Sequence, residues 1–473
     1  MDDNLPPRQW EWTAFIPIAA GLYALHLVEG IGGAIFAGLP GVMLLGTGFA
    51  LLLMRGDHRV TAYMAIGGLL GFVLALPLIF AAGFFGALTV ALLSLASFVV
   101  AGRISLVDEP TPREIPTPEF SLAMQGKVAL DEAIMGYFLL RARVPTGHDA
   151  AVMCDQALEF ERALEVRGYI AYPEKLHANA PAAPEQVHSE SASLWGHRYE
   201  HVSIESGFVP DPQLPGASRW MEHAPNTRAH AWVMQHHSPG RPWLLCIHGY
   251  RMGVPWIDYG MFSPNLLHHK FGCNLVNPIL PLHGPRRIGM LSGDGYLDGD
   301  LLDLVFAQTQ ALWDLRRWIA WIRASDPGAR IGVYGVSLGG YNTALLSSYE
   351  PDLDFTLAAI PVLDFAGVLW RVLPPPLRRY FAVRGLDEAR YRNILRCVSP
   401  LARPARVPQE RRAIVAANAD RVVPVGQPLL LAKHWDVQPR FYAGSHLTIA
   451  REYEPRALLE EQMRLAGWMT PAA

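Results

Sequence analysis

The stretch Gly335-Val336-Ser337-Leu338-Gly339 decides the fold of this 473-residue chain. The apolar run before it, at 331–334, is typical of a buried β-strand, whereas the sequence after it, at 340–346, has helical character. We therefore expect Ser337 at a sharp strand-to-helix turn, with a strained backbone and an exposed hydroxyl. Glycines two residues before and after the serine prevent side-chain collisions across such a bend. A single match of this kind arises by chance, so the interpretation depends on the rest of the chain.

Two candidate partners of the serine follow apolar, strand-like runs further along the chain. Asp420 comes just after the run at 413–417, and His446 lies in a tight loop beyond a short strand at 439–442. A serine hydroxyl is a poor nucleophile at neutral pH, so it needs a histidine base, and that histidine needs a carboxylate to hold its tautomer. The order serine, acid, histidine therefore predicts a catalytic triad of Ser337, Asp420 and His446.

Asp364 is the competing candidate for the acid, because it follows an earlier apolar run at 355–361. An aspartate in that position reads equally as a loop carboxylate or a helix cap. Asp420 has the fuller context, since it lies just past a predicted buried strand and is followed by Val423-Pro424. We therefore favour Asp420 as the acid and interpret Asp364 as a loop carboxylate or a helix cap.

An oxyanion hole requires two backbone N–H donors aimed at the tetrahedral oxygen. We expect one donor from Leu338, the residue after the serine. The other is expected from Tyr250, or from Arg251, just beyond the predicted strand at 242–247 and its His248-Gly249 turn. The side chain of His248 is interpreted as a packed structural histidine, so the backbone of this loop carries the predicted function.

With these motifs in this order, residues 195–473 resemble the α/β-hydrolase superfamily of serine esterases and lipases. The resemblance implies an eight-stranded, mostly parallel sheet with helices on both faces. It further implies a serine hydrolase that cleaves an ester or related acyl bond through an acyl-enzyme, without an organic cofactor or a metal. The expected substrate is an acyl-ester small molecule or a lipid, and the resemblance does not specify which.

Two long apolar blocks precede this region. Residues 60–102 contain no Asp, Glu, Lys, Arg or His, and residues 13–54 contain few ionisable side chains. A membrane span needs about 20 apolar residues, so each block can hold two spans. We expect a bundle of about four spans, with breaks at 38–41 and near Gly83.

His26 and Glu29 are ionisable residues of the first block, three positions apart. The expected breaks place them near the middle of a span, on one helix face. Such residues pair with each other or a neighbouring helix, or they line a polar cavity. We favour the pairing.

The basic residues around the apolar blocks predict an orientation. Arg55 and Arg59 lie between the blocks, and Arg103 follows the second one. With four spans these positions fall on the same side of the membrane, which the positive-inside rule makes cytoplasmic. We therefore expect a multi-pass protein of a bacterial inner membrane with a cytoplasmic hydrolase domain.

Composition divides the chain into three predicted parts: a transmembrane helical region at 1–103, a Pro-rich linker and helical connector at 104–190, and the hydrolase domain at 191–473. Within the connector, apolar periodicity predicts helices at 121–143 and 149–167. Residues 362–408 fall between two predicted core strands, where this fold often carries a lid. They form either a gate over an acyl pocket or an insertion packed on the sheet.

The remaining signals argue against other classes of site. The four cysteines are scattered without metal-site spacing, and those at 246 and 273 fall in predicted strands as buried thiols. A net charge of −3 gives no footprint for nucleic acid, and the oligomeric state is not readable. Two alternative functions stay open: an acyltransferase that uses the same triad, and a non-catalytic binding module attached to a membrane bundle.

Overall fold

A computed structural model describes residues 12–54, 56–143 and 145–469. Arg55, one basis of the predicted orientation, lies outside these residues. The chain forms two compact units. The first unit comprises Met1–Ala142, Ala417–Val425 and Ala443–Ile449; the second comprises Arg143–Ala416, Gly426–Tyr442 and Ala450–Ala473.

The first unit is helical. Its helices are α1 (Phe15–His26), α2 (Gly30–Gly33), α3 (Leu39–Leu53), α4 (His58–Asp108) and α5 (Leu122–Arg141). Two continuous helical segments, Gly30–Leu53 and His58–Asp108, are long and apolar enough to cross a membrane, with mean hydropathies of 1.9 and 2.3. A shorter apolar helix covers Trp12–His26.

The predicted break near Gly83 is confirmed, because that residue interrupts α4 with a φ of 72° and a ψ of 168°. The predicted break at 38–41 is wrong. The chain instead turns after α1 and enters α2 at Gly30, whose φ of 62° favours glycine. It then stays helical through a π-helical turn, Ala34–Gly38, into α3, where a proline in the first turn is tolerated.

The same turn corrects the placement of His26 and Glu29. His26 ends α1 and Glu29 precedes α2, so neither residue lies near the middle of a helix. Both side chains are exposed. These residues therefore mark the connection between two helices, and their pairing stays a prediction.

Close backbone contact joins α5 to α4. A Cβ added to Gly102 of α4 would lie 2.8 Å from the backbone nitrogen of Ala129 in α5. A Cβ added to Gly136 of α5 would lie 3.0 Å from the carbonyl carbon of Ala62 in α4. Small residues permit this approach, as in packed apolar helices generally. Helix α5, predicted as part of a connector, thus packs in the first unit.

The second unit contains a nine-stranded sheet. Its strands are β1 (Val187–Leu194), β2 (His197–Glu205), β3 (Arg228–Met234), β4 (Trp243–Ile247), β5 (Asn274–Ile279), β6 (Ile331–Val336), β7 (Phe355–Ala359), β8 (Arg412–Ala417) and β9 (Arg440–Tyr442). The strand order is β1-β2-β3-β5-β4-β6-β7-β8-β9. Strands β1, β2, β3 and β5 pair antiparallel in turn, and the pairs from β5 through β8 are parallel.

This order and direction confirm the predicted α/β-hydrolase fold, with one strand more than expected. The additional strand is β1, which joins β2 through a two-residue turn at Trp195 and Gly196. Positive φ angles of 50° and 82° at these residues match the right-handed twist of a hairpin. Since β1 is largely exposed, it lacks the apolar pattern of the core strands.

The first helix of the second unit precedes all of its strands, and the other helices lie between or after the strands. In chain order, the helices are α6 (Gly147–Val166), α7 (Ala217–Met221), α8 (Pro255–Met261), α9 (Asp303–Ser325), α10 (Leu338–Ser347), α11 (Phe365–Val372), α12 (Pro375–Val383), α13 (Glu388–Ile394), α14 (Gln427–Trp435) and α15 (Tyr453–Leu465). The helices predicted at 121–143 and 149–167 are confirmed as α5 and α6. The predicted lid region contains α11 to α13, and its gating role stays a prediction.

Candidate active site

Ser337 occupies the turn between β6 and α10. Its φ of 59° and ψ of −113° lie outside the regions that a serine normally adopts. Its N–H donates to the carbonyl of Ala359 on β7 (2.9 Å), and its carbonyl accepts from the N–H of Tyr341 (3.1 Å). The serine is partly exposed, whereas the residues on either side of it are buried. The predicted strained turn is therefore confirmed, and its catalytic role stays a prediction.

The two glycines of the motif are required by close packing. A Cβ on Gly335 would lie 2.5 Å from the carbonyl carbon of Gly339, across the bend. A Cβ on Gly339 would lie 2.6 Å from the carbonyl carbon of Ile247, the last residue of β4. Both distances are far below an ordinary contact of about 3.5 Å between carbons. The turn is thus fixed against the end of β4.

The loop after β4 borders the serine. A Cβ on Gly249 would lie 3.5 Å from the Cβ of Ser337. The loop is held by the Met252 N–H, which donates to the Gly249 carbonyl (3.3 Å), and by the Arg251 guanidinium. That guanidinium pairs with Asp294, and with Asp298 at 2.7 Å. These contacts give the loop a defined shape beside the nucleophile.

His248 is a structural residue, as predicted. Its Nδ1–H donates to the Gly249 carbonyl (2.8 Å), and its Nε2 accepts from the N–H of Leu280 (3.0 Å). Burial lowers the pKa of His248 to about 4, so the ring is neutral and fits both hydrogen bonds. The side chain connects the loop after β4 to the loop after β5.

Tyr250 and Leu338 lie on the two segments that adjoin Ser337. Leu338 begins α10, where helix N-terminal N–H groups point outward along the axis. Tyr250 follows Gly249, and its ring lies 4.9 Å from the guanidinium of Arg251. Their assignment as oxyanion donors stays a prediction.

Asp420 and His446 are brought together in the first unit. Oδ2 of Asp420 lies 2.7 Å from Nδ1 of His446, and both residues are buried. Oδ1 of Asp420 accepts the N–H groups of Val422 (2.9 Å) and Val423 (2.8 Å). With Nδ1–H directed at the carboxylate, Nε2 is the basic nitrogen of the ring.

The carboxylate also changes the basicity of the imidazole. Burial by itself lowers the pKa of His446, but the facing Asp420 carboxylate, with a smaller contribution from a second buried carboxylate, raises the pKa above 6.5. A raised pKa means that the imidazolium is stabilised relative to the neutral ring. This is the electrostatic property that a general base needs.

Asp364 has the role of a helix cap, one of the two structural roles expected from the sequence. Its Oδ1 accepts the N–H of Gly367 in the first turn of α11 (3.2 Å). Its Oδ2 pairs with the guanidinium of Arg392 at 2.7 Å. The contacts of this carboxylate are thus those of a structural residue, and the His446 ring is held by Asp420.

Asp131 is a residue of the site that sequence reasoning missed. It lies on α5, is fully buried, and accepts hydrogen bonds from the N–H groups of Arg421 (3.0 Å) and His446 (2.8 Å). The sequence signal for it was its position on the helix. Met124, Val128 and Asp131 follow one another at spacings of four and then three residues, so they lie on the same helical face. A charged residue on an apolar face requires buried partners.

Arg421, next to the acid, is tied to helix α4. Its Nε donates to Oγ of Ser105 (3.0 Å) and lies 3.4 Å from a carboxylate oxygen of Glu109. Ser105 in turn donates to Glu132 of α5 (2.6 Å). The loop after β8 therefore has polar contacts with both helices.

Comparisons with known proteins place the chain in a family. No protein-family model matches it. It is 32% identical over 368 residues to the uncharacterized protein MT2702 of Mycobacterium tuberculosis (strain CDC 1551 / Oshkosh), covering 75% of this chain and 86% of that protein. It is also 32% identical over 373 residues to the uncharacterized protein Rv2627c of Mycobacterium tuberculosis (strain ATCC 25618 / H37Rv), with the same coverage.

Solved structures with a similar chain path include two esterases. The acetyl xylan esterase from Paenibacillus sp. R4 has 14% identity and a TM-score of 0.43, over 70% of this chain and 99% of that one. Acetyl xylan esterase 1 from Thermoanaerobacterium sp. JW/SL YS485 has 13% identity and a TM-score of 0.42, over 70% and 96%. The fold assignment rests on strand order and direction. With 75% of its length matched at 32% identity, the chain belongs to the family of the two mycobacterial proteins, and its fold is that of the α/β-hydrolases.

Proposed function

We propose that this chain is a membrane-attached serine hydrolase that cleaves an ester or related acyl bond with Ser337, His446 and Asp420. The observation that carries the proposal is the buried Asp420–His446 pair at 2.7 Å. These residues follow β8 and β9 in the chain, and Ser337 follows β6. In open α/β sheets, ligands bind beyond the carboxyl ends of the strands, which is where these three segments begin.

The proposed chemistry follows from the geometry of each part. Nε2 of His446 takes the proton of the Ser337 hydroxyl as its oxygen attacks the acyl carbonyl, and Asp420 stabilises the imidazolium that forms. The N–H groups of Tyr250 and Leu338 bind the oxyanion of the tetrahedral intermediate. The imidazolium then protonates the leaving group, and the neutral ring activates a water molecule that hydrolyses the acyl-enzyme.

The apolar helices support attachment to a membrane through about four spans. Gly83 divides α4 into two halves, and each half exceeds the about 20 residues that a span requires. The segment from Gly30 to Leu53 adds a third helix of this length, and the shorter apolar helix at Trp12–His26 would be the fourth span. Arg59 and Arg103 then fall on one side, which the positive-inside rule makes cytoplasmic, along with the hydrolase domain. Attachment suits a lipid ester as well as a soluble acyl ester.

Turnover of a chromogenic acyl ester by the full chain tests the proposal. Ser337→Ala should lower kcat by at least about 10⁴-fold, because the nucleophile is lost while the fold is kept. Ser238→Ala, at an exposed serine, is the matched control and should retain full activity. Unchanged turnover in Ser337→Ala contradicts the proposal. Product analysis with added alcohols then separates hydrolysis from transfer to another acceptor.

A further inference from the structure

The carboxylate of Asp131 has an unusual set of partners. Oδ1 accepts from the N–H of Leu447 (3.0 Å) and lies 2.9 Å from the hydroxyl of Ser445. Oδ2 accepts from the N–H groups of Arg421 (3.0 Å) and His446 (2.8 Å). Three backbone N–H groups therefore donate to the carboxylate, and the Ser445 hydroxyl, which has a single proton, is shared between Oδ1 and the carbonyl of Lys127. Such a set satisfies an ionised carboxylate, which accepts and does not donate.

These donors come from two separate segments of the chain. Arg421 is adjacent to Asp420, and Ser445 to Leu447 surround His446. One carboxylate thus cross-links the loop that carries the acid to the loop that carries the base. Burying a charge has a large free-energy cost unless the charge is hydrogen-bonded. A satisfied network of this kind holds its members in fixed positions, so the Asp131 carboxylate fixes the two loops relative to each other.

The rest of the α5 face reinforces the same contact. Nζ of Lys127 donates to the carbonyl of Ala443 (2.8 Å), and the Ser445 hydroxyl also lies 2.8 Å from the carbonyl of Lys127. Met124 and Val128 form an apolar cluster with Ala419, next to the acid loop. Helix α5 therefore covers both loops with polar and apolar contacts.

We propose that Asp131 is a positioning residue for His446 and Asp420, which makes α5 part of the catalytic apparatus rather than a connector. This inference rests on the proposed function. Asp131 acts through the backbone of the two loops, setting the 2.7 Å contact between Nδ1 and Oδ2. An error of about 1 Å in such a contact is enough to lower turnover about 100-fold.

The charge of Asp131 also acts on the imidazole. Together with Asp420 it raises the pKa of His446, against the opposing effect of burial. Burial, and then repulsion from Asp420, raise the pKa of Asp131 itself. The nearby cations are Arg421, on the acid loop, and Lys127, on α5, whose Nζ donates to the carbonyl of Ala443. Removing the Asp131 charge should therefore shift the protonation of His446 to lower pH.

Asp131→Asn in the full chain tests the inference. An amide accepts at only one of its two terminal atoms, so at least one of the three backbone N–H donors loses its acceptor. We expect kcat to fall about 10- to 100-fold with KM nearly unchanged, and the acid limb of the pH profile to move to lower pH. Asp131→Glu should not restore kcat, because its longer side chain displaces both loops.

Glu161→Gln is the matched control. Glu161 is a buried carboxylate of α6, and it accepts from the side chains of Asn393 (3.0 Å) and Arg390 (2.5 Å), away from both loops. Its loss should lower the unfolding midpoint while kcat and the acid limb stay in place. A merely structural role for Asp131 predicts the same behaviour for both variants.

Two outcomes overturn the inference. One is a folded Asp131→Asn protein with wild-type kcat and an unmoved acid limb. If that variant does not fold, Ser445→Ala decides: loss of the hydroxyl that lies between the carboxylate and the Lys127 carbonyl should lower kcat roughly fivefold, and wild-type kcat contradicts the positioning role. A wild-type chain that never reacts with a fluorophosphonate instead refutes the proposed function itself.

Discussion

Replacing Gly339 by alanine is the perturbation whose effect the structure defines most closely. The new Cβ would lie 2.6 Å from the carbonyl carbon of Ile247 and 2.8 Å from the carbonyl oxygen of His248. An ordinary carbon–carbon contact is about 3.5 Å, so the start of α10 must move away from β4 by about 1 Å. The colliding atoms belong to the backbone, so no side-chain rotation relieves the clash.

That displacement sets the expected magnitudes. Overpacking of a tight interior costs about 3 kcal/mol of stability at the upper end of its range. Moving Ser337 and the Leu338 N–H by about 1 Å should lower kcat/KM about 100-fold. Thermal unfolding and ester turnover, measured on the same preparation of the full chain, give both values.

Gly260→Ala is the matched control. A Cβ at this helical position meets no atom within 4 Å, and the residue is exposed. Alanine in place of glycine in a helix should stabilise the protein by about 0.5–1 kcal/mol and leave turnover unchanged. If Gly339→Ala also keeps wild-type kcat/KM and unfolding midpoint, the packing argument for the serine turn is refuted.

Two further predictions concern the acid and the base. The acid limb of the kcat/KM profile should have its midpoint above pH 6.5, because activity is lost as the pH falls through the raised pKa of His446. A midpoint at or below pH 6.5 contradicts the pairing of His446 with Asp420. Asp420→Asn should lower kcat about 10⁴-fold, because it removes the charge that holds the imidazole tautomer. Asp364→Ala should cost about 1 kcal/mol of stability, because the helix cap is lost, with kcat retained; the reverse ranking in turnover assays would favour Asp364 as the acid.

The local parts of the site were predictable from sequence because their geometry is encoded locally. The turn at Ser337 needs glycines at fixed offsets, and the spacing shows them. Asp420 and His446 each follow a short apolar run, so their order along the chain was enough to predict that they pair. A structural role for Asp364, as a loop carboxylate or a helix cap, was likewise predictable from the residues around it.

The parts that were missed depend on contacts distant in sequence. Asp131 lies about 290 positions before its partners near Arg421, and no pattern on α5 says which loop its carboxylate meets. The break predicted at 38–41 was wrong because glycine and proline do not end the helix there. A π-helical turn just before them lets the chain continue as a helix. Strand β1 was missed because an exposed hairpin strand has no apolar alternation.

The central claim is that the Ser337 hydroxyl is activated by the His446 base. Treating the folded full chain with a fluorophosphonate and mapping the adduct by peptide mass spectrometry tests it directly. The account predicts a single adduct on Ser337, absent in Ser337→Ala and formed much more slowly in His446→Asn. An adduct on another residue, or labelling of Ser337 at an equal rate without the imidazole, would contradict it.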